Sequence, residues 1–389
     1  MKHRYSFLRL FIRTLLLVTL SVVQFAFAQP AIRWINPMEV SPSLIGGRGW
    51  PADSIVRYRR LPKHTEGQVS ETVWALARQS AGVSIDFRTP AQSIDVRYQV
   101  SNPLSMPHMP ATGVSGLDLY AVDQDGGWHR VTGTYHFGDT IRYTFSGLNK
   151  PVGAYRLYLP LYNEVKWLEI GIPDSVQLTP VPHLGQRPLV VYGTSIAQGG
   201  CASRPGLAWP SLLERQMDRP VINLGFSGNG LLEPNVIDEI VTLDAAAYIL
   251  DCIPNIFPLA DTTLENRLNY AIHRIRSAHP AIPIILVEDA SPQQQFTNDF
   301  DGGARTHANA VLTSSVDALK AEGIGGLYIL SDTDIGFTDA ATVDGVHPGD
   351  LGMALYADAY ERILRKVLNE PVGILRTTRP TRQYRELHY

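Results

Sequence analysis

The chain has 389 residues, of which 44% are hydrophobic, and its formal net charge at pH 7 is −3. This length exceeds what one compact core of ordinary size holds, so we expect two domains. The balanced charge and the lack of a basic block argue against a nucleic-acid-binding protein.

Residues 1–28 have the pattern of a signal peptide. Basic residues precede a mostly apolar run, Leu15 to Phe25, which is followed by the small-residue motif Ala26-Phe27-Ala28 and then Gln29. An N-terminal membrane anchor is the alternative, although this run is short for a bilayer span. Since position 29 is not cysteine, lipid attachment there is not expected. We therefore expect an exported protein, periplasmic or extracellular, without stable membrane insertion after cleavage.

Residues 29–175 are predicted to form an all-β sandwich. Apolar and polar residues alternate in short runs separated by turn residues such as Asp125-Gly126-Gly127. The runs are Val83 to Phe87, Ile94 to Val100, Leu117 to Val122, Trp128 to Val131, Ile141 to Phe145, Tyr155 to Leu159 and Val165 to Ile170. Many short, half-buried strands at this spacing are typical of two antiparallel sheets. The proline-rich residues 176–188 are predicted to be a linker.

Residues 189–369 have a different rhythm, in which continuous apolar runs alternate with helical periods. The apolar runs are Leu189 to Tyr192, Val221 to Leu224, Ala246 to Leu250, Ile282 to Val287 and Gly326 to Leu330. The helical stretches are Ala208 to Met217, Leu264 to Ala278, Ala304 to Ala321 and Leu351 to Leu368. This alternation predicts an α/β domain with a five-stranded parallel sheet between helices. Residues 370–389 are a basic tail without periodicity.

The stretch LVVYGTSIAQGG places Ser195 directly after the first predicted strand. A phosphate-binding loop is excluded, because Gly200 stands where that motif needs its lysine. The serine is then either a helix N-cap or a nucleophile.

A nucleophilic serine needs a base and a group that orients the base. The segment DGVHP supplies both, since Asp344 lies three residues before His347 in a predicted loop. Asp350 is expected to be the N-cap of the helix that follows.

The donors for a developing oxyanion are Gly228, in NLGFSGNG, and the side-chain amide of Asn255, in LDCIPN. They follow the second and third predicted strands. A strand order of 2-1-3-4-5 would place Ser195 and Asn255 on either side of one crevice. Taken singly, Gly228 and Asn255 could also be ordinary turn residues, and the ordered set is what indicates a site.

This ordered set resembles the SGNH (GDSL-like) hydrolases, which are serine esterases of flavodoxin-like fold. GTSI, GFSGNG, DCIPN and DGVHP match the four sequence blocks of that family. The resemblance implies a catalytic triad of Ser195, Asp344 and His347, and an oxyanion hole formed by Ser195, Gly228 and Asn255. Two departures are Thr194, where aspartate is usual, and IPN, where G-x-N is usual.

The front domain contains GLDLY, residues 116–120, and resembles the small GxDLY β domain that precedes some SGNH hydrolases. Asp118 in this motif is expected to be structural or to lie at the domain interface, with substrate contact as the alternative. His108 and Arg204 are further candidates for the rim of the active site.

The two cysteines, Cys201 and Cys252, leave a disulfide and two buried free thiols open as alternatives. Two cysteines without a complementary histidine pattern do not predict a zinc site. No metal or organic cofactor is expected.

The resulting expectation is an exported serine esterase that acts through a Ser-His-Asp acyl-enzyme. Its expected substrate, inferred from architecture and resemblance, is an acetylated poly- or oligosaccharide. A lipid or phospholipid-type acyl hydrolase is one alternative, and a non-catalytic carbohydrate-binding protein is another. The sequence leaves the oligomeric state open.

Overall fold

The structure is a computed structural model that describes residues 31–40, 44–181, 186–291 and 303–370. The predicted signal peptide and all of the predicted tail after residue 370 lie outside these ranges. No helix in the described ranges has the length and apolar character needed to span a membrane.

Short strands form two antiparallel sheets in the front part of the chain. The strands are β1 (Ile32–Ile35), β2 (Ile45–Gly46), β3 (Ser84–Arg88), β4 (Ser93–Val100), β5 (Asp118–Val122), β6 (Trp128–Arg130), β7 (Thr134–His136), β8 (Ile141–Ser146), β9 (Ala154–Tyr158), β10 (Val165–Pro173) and β11 (Thr179–Pro180). One sheet has the order β1–β10–β4–β8–β7 and the other β11–β3–β9–β5–β6, with β2 paired to β3. The predicted all-β domain is confirmed.

The sandwich core follows from the alternation along each strand. In β4, Ile94, Val96 and Tyr98 are buried, while the residues between them are less buried. They meet Ile85 and Phe87 of the opposite sheet in one hydrophobic cluster. A period of two therefore turns one face of each sheet inward, as the sequence predicts.

The rear part of the chain forms a parallel sheet. Its strands are β12 (Leu189–Gly193), β13 (Val221–Gly225), β14 (Ala247–Asp251), β15 (Ile284–Val287) and β16 (Leu327–Leu330). Their order is β13–β12–β14–β15–β16, which confirms the predicted order 2-1-3-4-5. In the register, Gly193 pairs with Gly225 on one side and with Asp251 on the other. The loops after these three strands therefore begin side by side.

Helices cover the parallel sheet and pack beside the sandwich. They are α1 (Pro37–Val40), α2 (Glu71–Ala77), α3 (Ala111–Val114), α4 (Ser195–Gln198), α5 (Trp209–Met217), α6 (Pro234–Ile240), α7 (Ile253–Ile256), α8 (Asp261–Ala278), α9 (Ala304–Ala321), α10 (Asp332–Ile335) and α11 (Asp350–Val367). Helices α5, α8, α9 and α11 correspond closely to the predicted helical stretches. Along α8, for example, Leu264, Leu268, Ala271 and Ile275 form one buried stripe.

Some residues pack in a different domain from the one to which the sequence boundaries assign them. Leu61, Val69 and Val73 fall in the range assigned to the sandwich, yet they pack in a core of the parallel-sheet domain, beside Ile237 of α6. Residues 176–188, predicted to be a linker, include the edge strand β11, which pairs with β3. The front part of the chain therefore packs directly against the parallel-sheet domain.

Candidate active site

Ser195 stands at the carboxyl end of β12, where the chain turns into α4. Thr194 is the N-cap of this helix, and its hydroxyl accepts a hydrogen bond from the Ile196 N–H at 3.3 Å. The helix-cap alternative for Ser195 is therefore wrong, because Thr194 holds the N-cap position. Its Oγ lies 2.8 Å from Nε2 of His347, so the serine faces a base.

His347 and Asp344 form the rest of a hydrogen-bonded line. Nδ1 of His347 lies 2.7 Å from Asp344 Oδ2. A carboxylate only accepts, so Nδ1 carries the ring proton and Nε2 accepts from the Ser195 hydroxyl. Asp344 Oδ1 also accepts the N–H groups of Val346 and His347 at 3.1 and 2.8 Å.

These hydrogen bonds determine the charge of Asp344. Burial raises the pKa of this carboxyl, but the hydrogen bonds from His347 and Val346 lower it by more, so the net pKa lies below its ordinary value. The carboxylate is consequently held in the ionised form that orients an imidazole.

The loop that carries this pair is closed by its own backbone. Val343 N–H donates to the carbonyl of His347 at 2.9 Å. Contrary to the sequence prediction, Asp350 is not the N-cap of α11; Gly349 holds that position. The Asp350 carboxylate instead accepts the N–H and the hydroxyl of Ser203 at 2.8 and 2.6 Å, which ties the loop after α4 to the start of α11.

The predicted oxyanion donors converge on the same edge of the sheet. Ser195 is the first residue of α4, where a backbone N–H has no acceptor within the helix. In the described part of the chain the N–H of Gly228 has no acceptor either. Asn255 donates from Nδ2 to the carbonyl of Asn229 at 2.6 Å, which joins the loops after β13 and β14. An amide nitrogen has two hydrogens, so one stays available to a ligand.

Glycines make this close approach of loops possible. Gly230 has a φ of +74°, and a Cβ there would lie 2.2 Å from the carbonyl oxygen of Gly193. Gly228 has a φ of +67°, while a Cβ there would meet nothing within 4 Å. The first glycine is needed for packing. The second is favoured by its backbone conformation and leaves open space beside its N–H.

The front domain also reaches the site. The ring of His108 lies 6.0 Å from the ring of His347, centroid to centroid. Met109, next to it, is buried in a core of the parallel-sheet domain. His108 is therefore at the rim of the site, as proposed from the sequence.

Arg204 and Asp118 lie elsewhere, at the domain interface. The buried Asp118 carboxylate accepts from Arg204, from Arg130 Nε at 3.1 Å and from the Gly206 N–H at 3.2 Å. Arg204 also donates to Tyr120 Oη at 2.7 Å. Asp118 of GLDLY thus attaches the loop after α4 to the sandwich. Arg204 is part of this attachment and does not lie at the rim of the site.

Both cysteines are buried free thiols. Cys201 Sγ lies 3.5 Å from the His108 carbonyl oxygen, and Cys252 Sγ lies 3.6 Å from that of Tyr192. The thiols point to different partners, so the disulfide alternative is not realised.

Cys201, Asp344 and His347 each offer a ligand atom within 4.8 Å of the others. Cys201 could bind a metal ion only as a thiolate. Burial raises the pKa of its thiol to about 12, so the thiol is protonated at neutral pH. Asp344 and His347 are moreover hydrogen-bonded to each other, so their arrangement suits proton transfer better than metal binding.

Two supporting residues were not found from the sequence. Tyr162 Oη donates to the carbonyl oxygen of Ser195 at 3.1 Å. Gln198 Oε1 accepts the N–H of Ser227 at 3.0 Å. Gln198 lies three residues after the serine, a helical spacing that could have indicated it. Tyr162 lies in the front domain and has no local signal.

The fold and the hydrogen-bonded line of Ser195, His347 and Asp344 are typical of a serine hydrolase built on a parallel sheet, and comparisons with known proteins agree in the class. Residues 186–365 match the GDSL-like lipase/acylhydrolase family. Residues 32–178 match the GxDLY domain, the N-terminus of SGNH-hydrolase-type esterases.

Solved structures of the same fold include three relatives of differing similarity. A protein described as a GDSL-like lipase from Bacteroides ovatus is 30% identical, with a TM-score of 0.80 over 87% of this chain and 98% of that chain. A salicylyl-acyltransferase from a tetracycline biosynthetic pathway is 20% identical, with a TM-score of 0.70 over 88% and 98%. A family two carbohydrate esterase from Clostridium thermocellum, in complex with cellohexaose, is 15% identical, with a TM-score of 0.52 over 74% and 93%.

No curated protein matches the sequence. The chain belongs to the GDSL-like lipase/acylhydrolase family, with a GxDLY domain in front of its SGNH-type domain.

Proposed function

We propose that this protein is an exported serine esterase that removes acetyl groups from poly- or oligosaccharides. The observation that carries the proposal is the hydrogen-bonded line Ser195–His347–Asp344, with contacts of 2.8 and 2.7 Å. A hydroxyl, an imidazole and a carboxylate in this order are the parts that activate a serine for acyl transfer.

In the first half of the reaction, Ser195 Oγ attacks the ester carbonyl while His347 Nε2 takes the hydroxyl proton. Asp344 holds the ring and stabilises the imidazolium that forms. The N–H groups of Ser195 and Gly228 and the Asn255 amide bind the oxyanion. His347 then gives its proton to the leaving alkoxide, and an acyl-enzyme remains.

In the second half, His347 takes a proton from water, and the resulting hydroxide attacks the acyl carbon. The tetrahedral intermediate collapses, Ser195 Oγ leaves, and His347 returns the proton to it. The carboxylic acid is released. Every proton in this cycle moves through His347, and no cofactor is required.

The saccharide substrate is supported by likeness and by the rim of the site. The family two carbohydrate esterase described above shares the fold and was solved with cellohexaose. The imidazole of His108 is exposed and close to the histidine that protonates the leaving group. A polar side chain there suits an alcohol that carries further hydroxyls. Export is supported by the leader-like sequence of residues 1–28.

One observation favours the lipid-type alternative. Val343 and Leu351, which flank the Asp344–His347 loop, are 52% and 58% exposed. Exposed apolar side chains beside a catalytic loop could contact an acyl chain. This second candidate therefore belongs in the same experiment.

The test is release of acetate from acetylated xylan, pectin and glucomannan oligosaccharides, beside p-nitrophenyl acetate and a long-chain ester. Ser195→Ala is the inactive variant, and Ser314→Ala, an exposed serine on α9, is the matched control. We expect acetate from one saccharide class with wild type and the control only. Activity confined to the long-chain ester would favour the lipid hydrolase, and equal activity in Ser195→Ala would overturn the proposal.

A further inference from the structure

Arg60 is a buried cation whose hydrogen bonds within the described ranges all go to backbone carbonyl groups. It is 1% exposed. Its Nε donates to the Gln79 carbonyl at 2.8 Å, and Nη2 donates to that of Leu76 at 2.8 Å. Nη1 donates to the carbonyls of Asn223 and Gly225 at 3.3 and 2.5 Å. Within the described ranges no carboxylate forms an ion pair with it.

Burying a charge in this way is costly unless its hydrogen bonds are satisfied. Leu76 lies in the last turn of α2 and Gln79 follows its C-cap, Arg78. The C-terminal end of a helix carries partial negative charge, which favours a cation there. The guanidinium also lies over the Phe226 ring at 4.8 Å. Burial lowers the pKa of Arg60 to about 9, so the group is still protonated at neutral pH.

The carbonyls that Arg60 holds lead into the oxyanion loop, residues 226–230. Asn223 is the third residue of β13 and Gly225 is its last, and Gly228 follows within the loop. On its other side, Gly225 packs against α4: a Cβ there would lie 2.2 Å from the Gln198 N. The base of the loop is thus fixed between Arg60 and the helix of the nucleophile.

A second contact connects the same parts. Gln79, whose carbonyl accepts from Arg60, also accepts through its side-chain Oε1 from Gln198 Nε2. Gln198 in turn accepts the N–H of Ser227, inside the oxyanion loop. Arg60, Gln79 and Gln198 therefore form one connected network around the loop.

We propose that Arg60 is a positioning residue, which fixes the oxyanion loop so that the Gly228 N–H faces the reacting carbonyl. The front segment of the chain would then contribute to the rate of the reaction and not only to the stability of the fold. This inference rests on the proposed esterase function.

The test compares Arg60→Met and Arg60→Lys with Arg59→Met. Arg59 is adjacent in sequence and pairs with Glu164 at 2.9 Å, outside this network. Arg59→Met is therefore the matched control, because it also removes one arginine. With p-nitrophenyl acetate we expect Arg60→Met to lower kcat about 100-fold, the loss typical of one oxyanion donor, with KM within about threefold. Arg60→Lys should recover part of kcat, and Arg59→Met should match wild type.

Two measurements keep the test decisive. Titration of active sites with a fluorophosphonate expresses kcat per folded molecule, so partial unfolding of Arg60→Met cannot imitate a slow enzyme. The labelling reaction also depends on an oxyanion hole, so its rate reports on Arg60 independently of ester hydrolysis. If wild type hydrolysed none of the esters, that result would contradict the proposed function but not the inference about Arg60. An unchanged kcat and labelling rate in folded Arg60→Met would overturn the inference.

A double-mutant cycle locates the effect. Asn255 is tied to the oxyanion loop through Asn229. If Arg60 acts through this loop, the losses of Arg60→Met and Asn255→Ala in kcat should combine to less than their product. Fully multiplicative losses would contradict an action through the loop.

Discussion

The carboxyl edge of the parallel sheet and the seam between the two domains both contain a carboxylate hydrogen-bonded to a basic side chain, but the two carboxylates differ in their exposure to solvent. At the edge, the Asp344 and His347 side chains are 37% and 24% exposed. At the seam, the Asp118 and Glu214 carboxylates are 2% and 5% exposed. Glu214, from α5, pairs there with Arg156 of β9 at 3.0 Å.

The difference corresponds to what each pair has to do. In the proposed mechanism His347 gains and loses a proton in every cycle, so it needs contact with substrate and water. Asp344 must then stabilise the charged ring while leaving it accessible. A seam pair has one charge state throughout. Asp86 and Glu214 raise the pKa of Arg156 well above its ordinary value, against the lowering effect of burial. We therefore expect mutations at the edge to affect rate and mutations at the seam to affect stability.

The strongest test of this division is Asp344→Asn. The amide would present the wrong hydrogen-bonding partner to Nδ1 and favour the wrong tautomer of His347. We expect kcat to fall about 10⁴-fold, while the urea midpoint stays close to that of wild type. A large loss of stability with a modest loss of rate would place Asp344 among the structural pairs instead.

Asn255→Ala removes an uncharged side chain from the edge of the sheet and tests its proposed role as an oxyanion donor. Removing one oxyanion donor typically lowers kcat by about 10²–10³. KM should change little, because the interaction forms mainly in the transition state. Steady-state kinetics with p-nitrophenyl acetate measure this, with Asn149→Ala, an exposed asparagine of the sandwich, as the control. A rise in KM with unchanged kcat would assign Asn255 to substrate binding.

Asp118→Asn tests the seam. Removing one partner of a buried pair leaves Arg204 without its countercharge, and such changes cost about 3–5 kcal/mol of unfolding free energy. We expect a clear drop in the urea midpoint, with kcat per folded molecule within about threefold of wild type. Asp139→Asn, at an exposed position, is the control. If kcat collapses while the midpoint holds, Asp118 belongs to the catalytic machinery.

His108→Ala sharpens the comparison, since this residue belongs to the front domain but lies at the edge. One lost hydrogen bond to the leaving alcohol corresponds to roughly a tenfold decrease in kcat/KM. The decrease should appear with an acetylated saccharide and not with p-nitrophenyl acetate. Equal decreases with both esters would mean that His108 supports His347 instead of the alcohol.

The smallest effect concerns Asp251, at the end of β14. Burial, reinforced by Asp289 and opposed by the Tyr360 hydroxyl, raises the pKa of Asp251 to about 7. A raised pKa means that the stability from the neutral carboxyl is complete below the unfolded pKa, near 4, and is lost as pH rises to about 7.

Asp251→Asn keeps this position neutral at every pH. The variant should match wild type near pH 4 and exceed its Tm by about 3 °C at pH 8.5. Thermal unfolding by circular dichroism at both pH values measures the difference, with Asp139→Asn as the control. A gain of equal size at both pH values would show that titration of Asp251 is not its cause.

The edge of the sheet could be predicted from the sequence because its information is local. Asp344 and His347 are three residues apart, and Ser195, Gly228 and Asn255 each follow a recognisable apolar strand. A parallel sheet brings the ends of adjacent strands together, so the motifs and the strand order were enough to group these residues.

The sequence placed Asp118 in a structural or interface position, but the partners that form the seam could not be predicted, because they are distant in the chain. Asp118 and Arg204 are separated by 86 positions, and Arg60 and Gly225 by 165. The segment around α2 carries no signal that it packs on the parallel sheet and not in the sandwich. The Asp350 N-cap was wrong for a related reason, because Ser203, remote in sequence, takes up that carboxylate.

The most direct test of the account is the mass of the intact protein after reaction with a fluorophosphonate ester, followed by peptide mapping. We expect one phosphonyl group on Ser195 of the wild type, none on Ser195→Ala, and labelling slowed by orders of magnitude in His347→Gln. Labelling of Ser195→Ala at the wild-type rate, or a label on another residue, would contradict the assignment of Ser195 as the nucleophile.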